Sequence, residues 1–308
     1  MKLKHVHDAI EAFKKHCSHL SEATRRKHRN VFRHLQGFAD SRSIGVIGEF
    51  TLEHLDEFRA GRGIQSNTAI KELQTLRQFF AFCLDRKWTG ENIAKRIRQP
   101  ANVKPTPVEP YTQADVARIF GACDRFGRTS YERLRARAMV LLLRCTGVRI
   151  SDVSTLAKDR VRDGKLLLRT QKTGGTVYLP IPPELLRALE QLPIPRGARA
   201  NCPYFFWNGT TTTRAILGIA ERSLGAVFRP AGAPRAHADR FRHTLATDIL
   251  VKGGTEQDVA DVLGIGAHIV RKHYAKWTIQ RQERISSLMQ MVQTGTFAAQ
   301  SKTESAIN

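Results

Sequence analysis

The sequence predicts a mainly α-helical fold with a small β-hairpin, an α+β protein built from two domains. Apolar residues recur at helical spacing on both sides of one proline-rich stretch, "RQPANVKPTPVEP", which resists helix and strand and indicates a stiff linker. A second stretch, "GKLLLRTQKTGGTVYLPIP", predicts two strands on either side of a Gly-Gly turn. We therefore expect a helical domain over residues 1–103, a linker over 104–110, a second domain over 111–285 and a tail over 286–308.

The first domain is predicted to be a bundle of amphipathic helices with strongly basic faces. Val31, Phe32 and Leu35 recur at helical spacing, and a later helix has Ser66 as its expected N-cap. The basic positions on these helices are Arg25, Arg26, Lys27, Arg29, Arg33, Lys71 and Arg77. Such charges are usually a solvated helix face, but faces of a single sign also suit a surface that follows phosphate groups.

Two capping boxes and one glycine mark the helices of the second domain. Thr112 with Asp115, and Thr255 with Asp258, have the spacing at which two residues cap the start of one helix. Gly147 follows an apolar helix and suits a C-terminal cap. The hairpin stretch lies between these signals, so we expect helices before and after it.

The charge of the chain favours a polyanionic partner. Lys and Arg total 50 against 28 Asp and Glu, a formal net charge of +22. A basic surface binds nucleic acid because phosphate contacts release counterions. A membrane surface is the competing polyanion, but the sequence has no secretory leader, no lipidation signal and no apolar run of about 18 residues. We therefore expect a cytoplasmic protein that binds nucleic acid and no membrane.

The five cysteines, Cys17, Cys83, Cys123, Cys145 and Cys202, are scattered along the chain without CxxC spacing. This pattern favours reduced thiols in the core over a disulfide framework or a zinc site.

Four side chains stand at marked positions of the second domain. Arg149 follows a helix end in "TGVRISD", Lys172 lies at the hairpin in "QKTGG", Arg242 lies in "RFRHTLAT" and Tyr274 lies in "RKHYAKW". Each alone is explained well enough as a surface residue. Together they meet the needs of attack on a phosphodiester, because arginine forks bind phosphate oxygens, a lysine can protonate a departing oxygen and a tyrosine can store the bond as an ester.

In this order the four residues resemble the catalytic domain of the tyrosine recombinases, the phage-integrase family. That family has an arginine after a "TG" turn, a hairpin lysine, an "HxxRH" motif, an "LGH" motif and a tyrosine about ten residues after that glycine. Gly264 and Tyr274 have this separation. The resemblance covers residues 108–285, and the basic helices of residues 1–103 are similar to the core-binding domain of the family.

The resemblance implies the fold, the partners and the site. It implies a two-domain clamp around double-stranded DNA, a homo-tetramer on DNA, a monomer when free in solution, and a place in the bacterial cytosol or nucleoid. Tyr274 is implied to be the nucleophile, Arg149 and Arg242 to bind the phosphate, and Lys172 to be the general acid. The implied reaction needs no metal ion and no nucleotide cofactor, which agrees with the lack of a GxxxxGK or HExxH motif.

Two supporting residues fit the pattern of the family and two positions depart from it. Asp152 matches the acidic position that supports the first arginine, and His243 matches a common helper histidine. Asp239 stands where the family has histidine or lysine, and Ile265 where it has histidine or tryptophan. Asp239 lies three residues before Arg242, so on a helix it faces Arg242 and can pair with it. It would then compete with the phosphate for this guanidinium. The histidines that could substitute are His237, His268 and His273.

These departures leave three hypotheses. The first is an active site-specific recombinase or integrase of a phage, integron or transposon, which cuts and rejoins DNA through a 3′-phosphotyrosine. The second is a weakly active or inactive DNA-binding protein on the same fold, a degenerate or domesticated integrase. The third is a DNA-relaxing enzyme similar to type IB topoisomerases.

The C-terminal tail is predicted to be an apolar helix. Ile285, Leu288, Met289 and Val292 recur at helical spacing. Such a helix either covers the core of its own protomer or, as the resemblance implies, docks on a neighbouring one.

Overall fold

A computed structural model describes residues 2–101, 108–233, 236–274 and 282–291 of the chain. The chain divides into two compact units, Met1–Thr106 and Pro107–Asn308. Helices dominate both units, and one small antiparallel sheet lies in the second. This confirms the predicted fold class. Most of the predicted linker lies outside the described residues, so the limits of residues 1–103, 104–110 and 111–285 stay predictions.

The first unit is a bundle of four α-helices around an aromatic core. The helices are α1 (Val6–His16), α2 (Glu22–Ser41), α3 (Leu52–Ala60) and α4 (Ser66–Asp85). The ring of Phe13 lies 5.4 Å from that of Phe32 and 5.5 Å from that of Phe79, both nearly edge-on. The N-cap of α4 is Gln65, so the prediction of Ser66 was wrong by one residue. Ser66 is already helical, and no side chain caps this helix start.

The second unit is built around an apolar helix, α6 (Ser130–Thr146). Its α-helices are α5 (Gln113–Asp124), α6 (Ser130–Thr146), α7 (Ile150–Ser154), α8 (Pro183–Glu190), α9 (Thr213–Ala231), α10 (Ala238–Val251), α11 (Glu256–Leu263) and α12 (Ala267–Tyr274). Residues 138–143 of α6 are all buried. Both predicted capping boxes are confirmed at α5 and α11, and Gly147 ends α6 with a φ of 62°.

The sheet consists of β1 (Val161–Arg162), β2 (Lys165–Arg169) and β3 (Thr176–Pro180), in antiparallel order β1-β2-β3. The predicted hairpin is β2 with β3, with Leu167 opposite Tyr178. These two side chains are exposed, while Leu166 and Val177 on the other face are fully buried. One face of the sheet therefore packs on the core. This packing holds the two strands that flank the β2–β3 turn.

A smaller apolar cluster joins α10, α11 and α12. Its buried members are Ala246, Leu250, Val259, Ala260, Leu263, Val270 and Tyr274. Tyr274 is thereby packed into the unit at the end of α12.

Residues 282–291 form a further helix. Ile285, Leu288 and Met289 on it are between 42% and 49% exposed, and Val292 lies outside the described residues. Within the described part of the chain, no helix has both the length and the apolar character needed to cross a bilayer.

Candidate active site

The turn after α6 places Arg149. Gly147 adopts a left-handed conformation there, and a Cβ atom at this position would lie 2.7 Å from Leu263, so only glycine fits without strain. Arg149 follows as the N-cap of α7. Its Nη1 atom is buried and has no hydrogen-bond partner among the described residues. A buried cationic donor without a partner is costly unless an anion binds it.

Arg242 on α10 is buried and joins two helix ends. Its Nη1 donates to the carbonyl oxygen of Gly147 (2.8 Å), and its Nη2 donates to that of Leu263 (2.7 Å). Burial, followed by the nearby cation of Arg149, lowers the pKa of Arg242 to about 10. Arg242 thus stays charged at neutral pH and has a second guanidinium near it. An anion held between the two would relieve this repulsion.

Asp152 connects the Arg149 segment with the hairpin. Its Oδ1 accepts a hydrogen bond from the backbone N–H of Gln171 (3.0 Å), while Oδ2 is buried and has no partner among the described residues. Burial raises the pKa of this carboxyl, and the cations of Arg149 and Arg242 oppose the rise. The carboxylate is therefore close to both arginines and supports them electrostatically.

Lys172 is exposed in the β2–β3 turn. The turn packs against the end of α11, because the Oγ1 of Thr173 donates to the carbonyl oxygen of Gly264 (3.0 Å). A Cβ atom on Gly175 would lie only 2.6 Å from the same oxygen. The lysine is thus carried by a turn that touches the segment leading to Tyr274.

Tyr274 is 4% exposed, and its ring lies 5.4 Å from the ring of His243. Burial raises the pKa of the phenol, whereas the cations of Arg242 and Arg149 lower it. Burial also lowers the pKa of His243, so its imidazole is neutral at pH 7. The structure therefore brings Arg149, Arg242, His243 and Tyr274 into one neighbourhood.

The two departing positions differ in their surroundings. Asp239 is exposed, and the predicted ion pair with Arg242 was wrong, because that guanidinium donates to backbone carbonyl groups instead. Its negative charge still raises the pKa of Tyr274, so Asp239 is close to the site. Ile265 is partly buried and packs against the apolar cluster of α10–α12. It fills space there and offers no hydrogen bond.

The three histidines considered as substitutes are all exposed. His237 is the N-cap of α10, and its charge and that of His273 both lower the pKa of His243. The ring of His273 lies 6.4 Å from that of Tyr274. His268 lies beside Gly266 at the start of α12. Two of the three, His237 and His273, are therefore close to the site residues.

The predicted phosphate-binding cations of α2 lie on its solvent side. Glu22 forms ion pairs with Arg25 and Arg29, and Arg33 donates to Asn30. Arg26, Lys27 and, on α4, Lys71 are exposed and belong to none of the ion pairs between described residues. These three have the most freedom to meet a phosphate.

Arg77 has a different environment from the other predicted cations. Its Nε donates to the carbonyl oxygen of Ala94 (3.2 Å) and its Nη2 to that of Ile97 (2.8 Å). These bonds make it a support of the chain after α4. Phosphate binding by Arg77 stays a prediction.

Gln171 and Thr173 also contact the site segments and were missed by the sequence analysis. The available signal was their position on either side of Lys172 in "QKTGG". Their partners, Asp152 and Gly264, are distant in sequence, so the contacts themselves required the structure.

Known proteins are similar to this chain in sequence and in fold. The sequence model of the phage integrase family matches residues 110–281. The tyrosine recombinase XerC of Brucella suis biovar 1 (strain 1330) is 26% identical over 234 residues, which cover 72% of each chain.

Two solved structures share the fold. A lambda integrase dimer bound to a COC′ core site has a TM-score of 0.68 and 15% identity, over 88% of this chain and 78% of that one. A lambda integrase tetramer bound to a Holliday junction has a TM-score of 0.64 and 15% identity, over 85% and 78%. The family model alone spans more than half of the sequence. The chain therefore belongs to the phage integrase family, the tyrosine recombinases.

Proposed function

We propose that this protein is a site-specific DNA recombinase or integrase that cuts and rejoins DNA strands through a 3′-phosphotyrosine intermediate. One observation carries the proposal. The buried Nη1 of Arg149, which has no partner among the described residues, lies near a second buried guanidinium and the buried phenol of Tyr274. Two cations and a hydroxyl in one buried place suit a phosphodiester and few other groups.

In this proposal the arginines bind the scissile phosphate. A guanidinium has five N–H donors, and the carbonyl bonds of Arg242 use one on each Nη. The remaining donors of Arg242 and the unpartnered Nη1 of Arg149 bind the non-bridging oxygens. Their charge stabilises the additional negative charge of the five-coordinate transition state. Asp152 lies three residues after Arg149 and holds it in place. His243 packs against the ring of Tyr274 and orients its phenol.

The covalent steps require only residues of this chain. The Tyr274 phenol gives its proton to water, and its oxygen bonds to phosphorus as the P–O5′ bond breaks. The departing 5′ oxygen takes a proton from Lys172. The product is a 3′-phosphotyrosine ester and a free 5′ hydroxyl. Attack by a 5′ hydroxyl of the partner strand reverses the step and rejoins DNA. No metal ion and no nucleotide takes part.

A second candidate function is DNA binding with little or no cleavage, as in a degenerate or domesticated integrase. Asp239 favours it, because its negative charge raises the pKa of Tyr274 and opposes the approach of a phosphate. Ile265 favours it too, since it replaces a hydrogen-bond donor by an apolar side chain. Each lost donor costs about 2–4 kcal/mol of transition-state stabilisation.

The proposed partners are double-stranded DNA and further copies of this chain. A formal charge of +22 supports binding to DNA. The domains over residues 1–103 and 111–285 would form a clamp on the duplex. The proposed location is the bacterial cytosol or nucleoid. The lambda integrase dimer and tetramer on DNA support a tetramer that assembles on DNA from monomers. The exposed apolar residues of helix 282–291 support docking of the tail, 286–308, on a neighbouring protomer.

The test is a covalent adduct on a denaturing gel, after incubation with a nicked duplex that carries the DNA flanking the element which encodes this protein. We expect an adduct with the wild-type protein and none with Tyr274→Phe, which keeps the ring. An adduct that persists in Tyr274→Phe would exclude Tyr274 as the nucleophile. No wild-type adduct, together with one in Asp239→His, would establish the DNA-binding alternative.

A further inference from the structure

The turn that carries Lys172 is bonded to the protein on both sides of the lysine. On the N-terminal side, the backbone N–H of Gln171 donates to Asp152 (3.0 Å), and its side-chain Nε2 donates to the hydroxyl of Thr155 (2.6 Å). Both partners belong to the segment that follows Arg149. The residue before the lysine is therefore fixed to the segment of the first arginine.

On the C-terminal side, Thr173 is fixed to the end of α11. Its hydroxyl donates to the carbonyl oxygen of Gly264 (3.0 Å) and lies 2.7 Å from the hydroxyl of Thr170, which is 2% exposed. The preceding carbonyl, that of Leu263, accepts from Arg242. The carbonyl oxygens of two consecutive residues, Leu263 and Gly264, thus accept hydrogen bonds from Arg242 and from Thr173 of the lysine turn.

These bonds close into a ring, which we call the site ring. Arg242 links the Arg149 turn to the end of α11, Thr173 links that end to the lysine turn, and Gln171 links the turn back to the Arg149 segment. The residues of the site ring are Gly147, Asp152, Gln171, Thr173, Arg242, Leu263 and Gly264. Lys172 lies within the ring but is exposed, and its long side chain has no such restraint of its own.

We propose that Gln171 and Thr173 are positioning residues that hold Lys172 where it can protonate the leaving oxygen. This inference rests on the proposed function. General-acid catalysis depends on the placement of the donor within hydrogen-bond reach, and a lysine on a loosely held turn spends little time there. Loss of either side chain should therefore slow cleavage without removing the nucleophile or the phosphate-binding groups.

The test compares an ordinary duplex with one whose scissile phosphate has sulfur in place of the bridging 5′ oxygen. In both, the Tyr274 oxygen bonds to phosphorus; in the second, the P–S bond breaks and sulfur leaves as a thiolate that needs no proton. The variants are Thr173→Val and Gln171→Met, which keep the size of the side chains, and Lys172→Ala. Thr173→Ser restores the hydroxyl, Arg149→Ala removes a phosphate ligand, and Thr176→Val is the matched threonine control at the start of β3.

We expect Thr173→Val and Gln171→Met to cleave the oxygen substrate about 10- to 100-fold more slowly. This is less than the roughly 10²- to 10⁴-fold that a general acid contributes, because Lys172 itself remains. Both should cleave the sulfur substrate near the wild-type rate, as should Lys172→Ala. Thr173→Ser and Thr176→Val should behave as wild type on both substrates, and Arg149→Ala should be slow on both.

The outcomes separate this inference from the proposed function. One outcome is that the sulfur substrate restores the cleavage rate of Lys172→Ala but not that of Thr173→Val or Gln171→Met. In that case Gln171 and Thr173 do not act through the lysine, and this inference is overturned while the proposed function stands. If sulfur fails to restore Lys172→Ala itself, the proposed acid role is wrong, and the inference fails with it. Circular dichroism and thermal unfolding of each variant show whether a slow variant is merely unfolded.

Discussion

The buried carboxyl of Asp152 makes a pH-dependent contribution to stability that is opposite in sign to that of most carboxylates. Its pKa is raised in the folded state by burial, so the folded protein holds this proton more tightly than the unfolded chain. Stability from this group therefore falls as pH rises through the raised pKa, and is recovered as pH falls toward the unfolded value of about 3.9.

Asp152→Asn isolates this contribution. The amide keeps an oxygen for the N–H of Gln171 but does not ionise. We expect the free energy of unfolding of the wild type to improve relative to that of Asp152→Asn as pH is lowered from 7 to 4, measured by urea denaturation. A difference that moves the other way would mean that the carboxylate is stabilised, and not destabilised, in the folded protein.

His28 should make the first unit sensitive to acid. It is buried on α2, its ring stacks on that of Phe13 at 5.9 Å, and its Nδ1 has no partner among the described residues. Burial lowers its pKa. Its contribution is therefore complete above the unfolded value of about 6.5 and is lost as pH falls through the lowered pKa. Urea denaturation at several pH values should show a smaller loss below pH 6.5 in His28→Leu.

The matched control is His7→Gln, which replaces an exposed histidine of α1. It should keep the wild-type acid sensitivity. Equal sensitivity of the wild type and His28→Leu would mean that other groups, such as His34 or His243, set the acid response.

The family resemblance carried by short motifs predicted which side chains lie near one another in the second unit. Arg149, Arg242 and Tyr274 were predicted from short motifs, and the structure brings them together. Motifs do not contain the backbone partners of a side chain, however. Arg242 and Arg77 donate to carbonyl groups of chain segments that only the tertiary fold brings near. The sequence therefore could not show whether Asp239 pairs with Arg242, or which groups Arg77 contacts.

At the scale of elements, the contact between the β2–β3 turn and α11 has no room for a side chain. In Gly175→Ala, the new Cβ would lie 2.6 Å from a backbone oxygen of Gly264, so the turn or the helix end must move. We expect a loss of about 1–3 kcal/mol in the free energy of unfolding. Cleavage should fall by about 100-fold, since small displacements in a site are costly.

Gly225→Ala on α9 is the matched control, because no atom lies within 4 Å of its would-be Cβ. Alanine inside a helix should stabilise the protein by about 0.5–1 kcal/mol and leave cleavage unchanged. Denaturation curves and the adduct gel test both variants. Wild-type cleavage by Gly175→Ala would show that the turn and α11 can separate without harm.

Elements with strong local signals were predicted best. The capping boxes of α5 and α11 and the glycine cap of α6 act within one helical turn, so the sequence contains all their partners. The strand β1 was missed although Asp163-Gly164, with φ values of 49° and 67°, forms the kind of turn that joins β1 to β2. A strand of two residues gives too little alternation to be seen.

For the whole molecule, the excess of cations predicts steeply salt-dependent binding to DNA. A protein with six to ten phosphate contacts loses about 10³- to 10⁵-fold in affinity between 50 and 200 mM salt. We expect Arg26→Gln and Lys27→Gln each to reduce the slope of log Kd against log salt by about one, measured by fluorescence anisotropy on a duplex.

Arg77→Gln is the control for this measurement, because its guanidinium supports backbone carbonyl groups. It should lower the melting temperature and leave the salt slope unchanged. A slope that is the same for the wild type, Arg26→Gln and Lys27→Gln would show that neither residue contacts a DNA phosphate.

The site ring contains an atom that can report on the assembly of the site. The amide proton of Gln171 is bonded to a buried carboxylate oxygen of Asp152, although the residue itself is exposed. Solvent deuterium can replace this proton only when that bond opens. Its exchange rate therefore measures the fraction of time that the turn carrying Lys172 is separated from Asp152. Slower exchange on addition of DNA would reveal that substrate binding completes the site before any bond is cut.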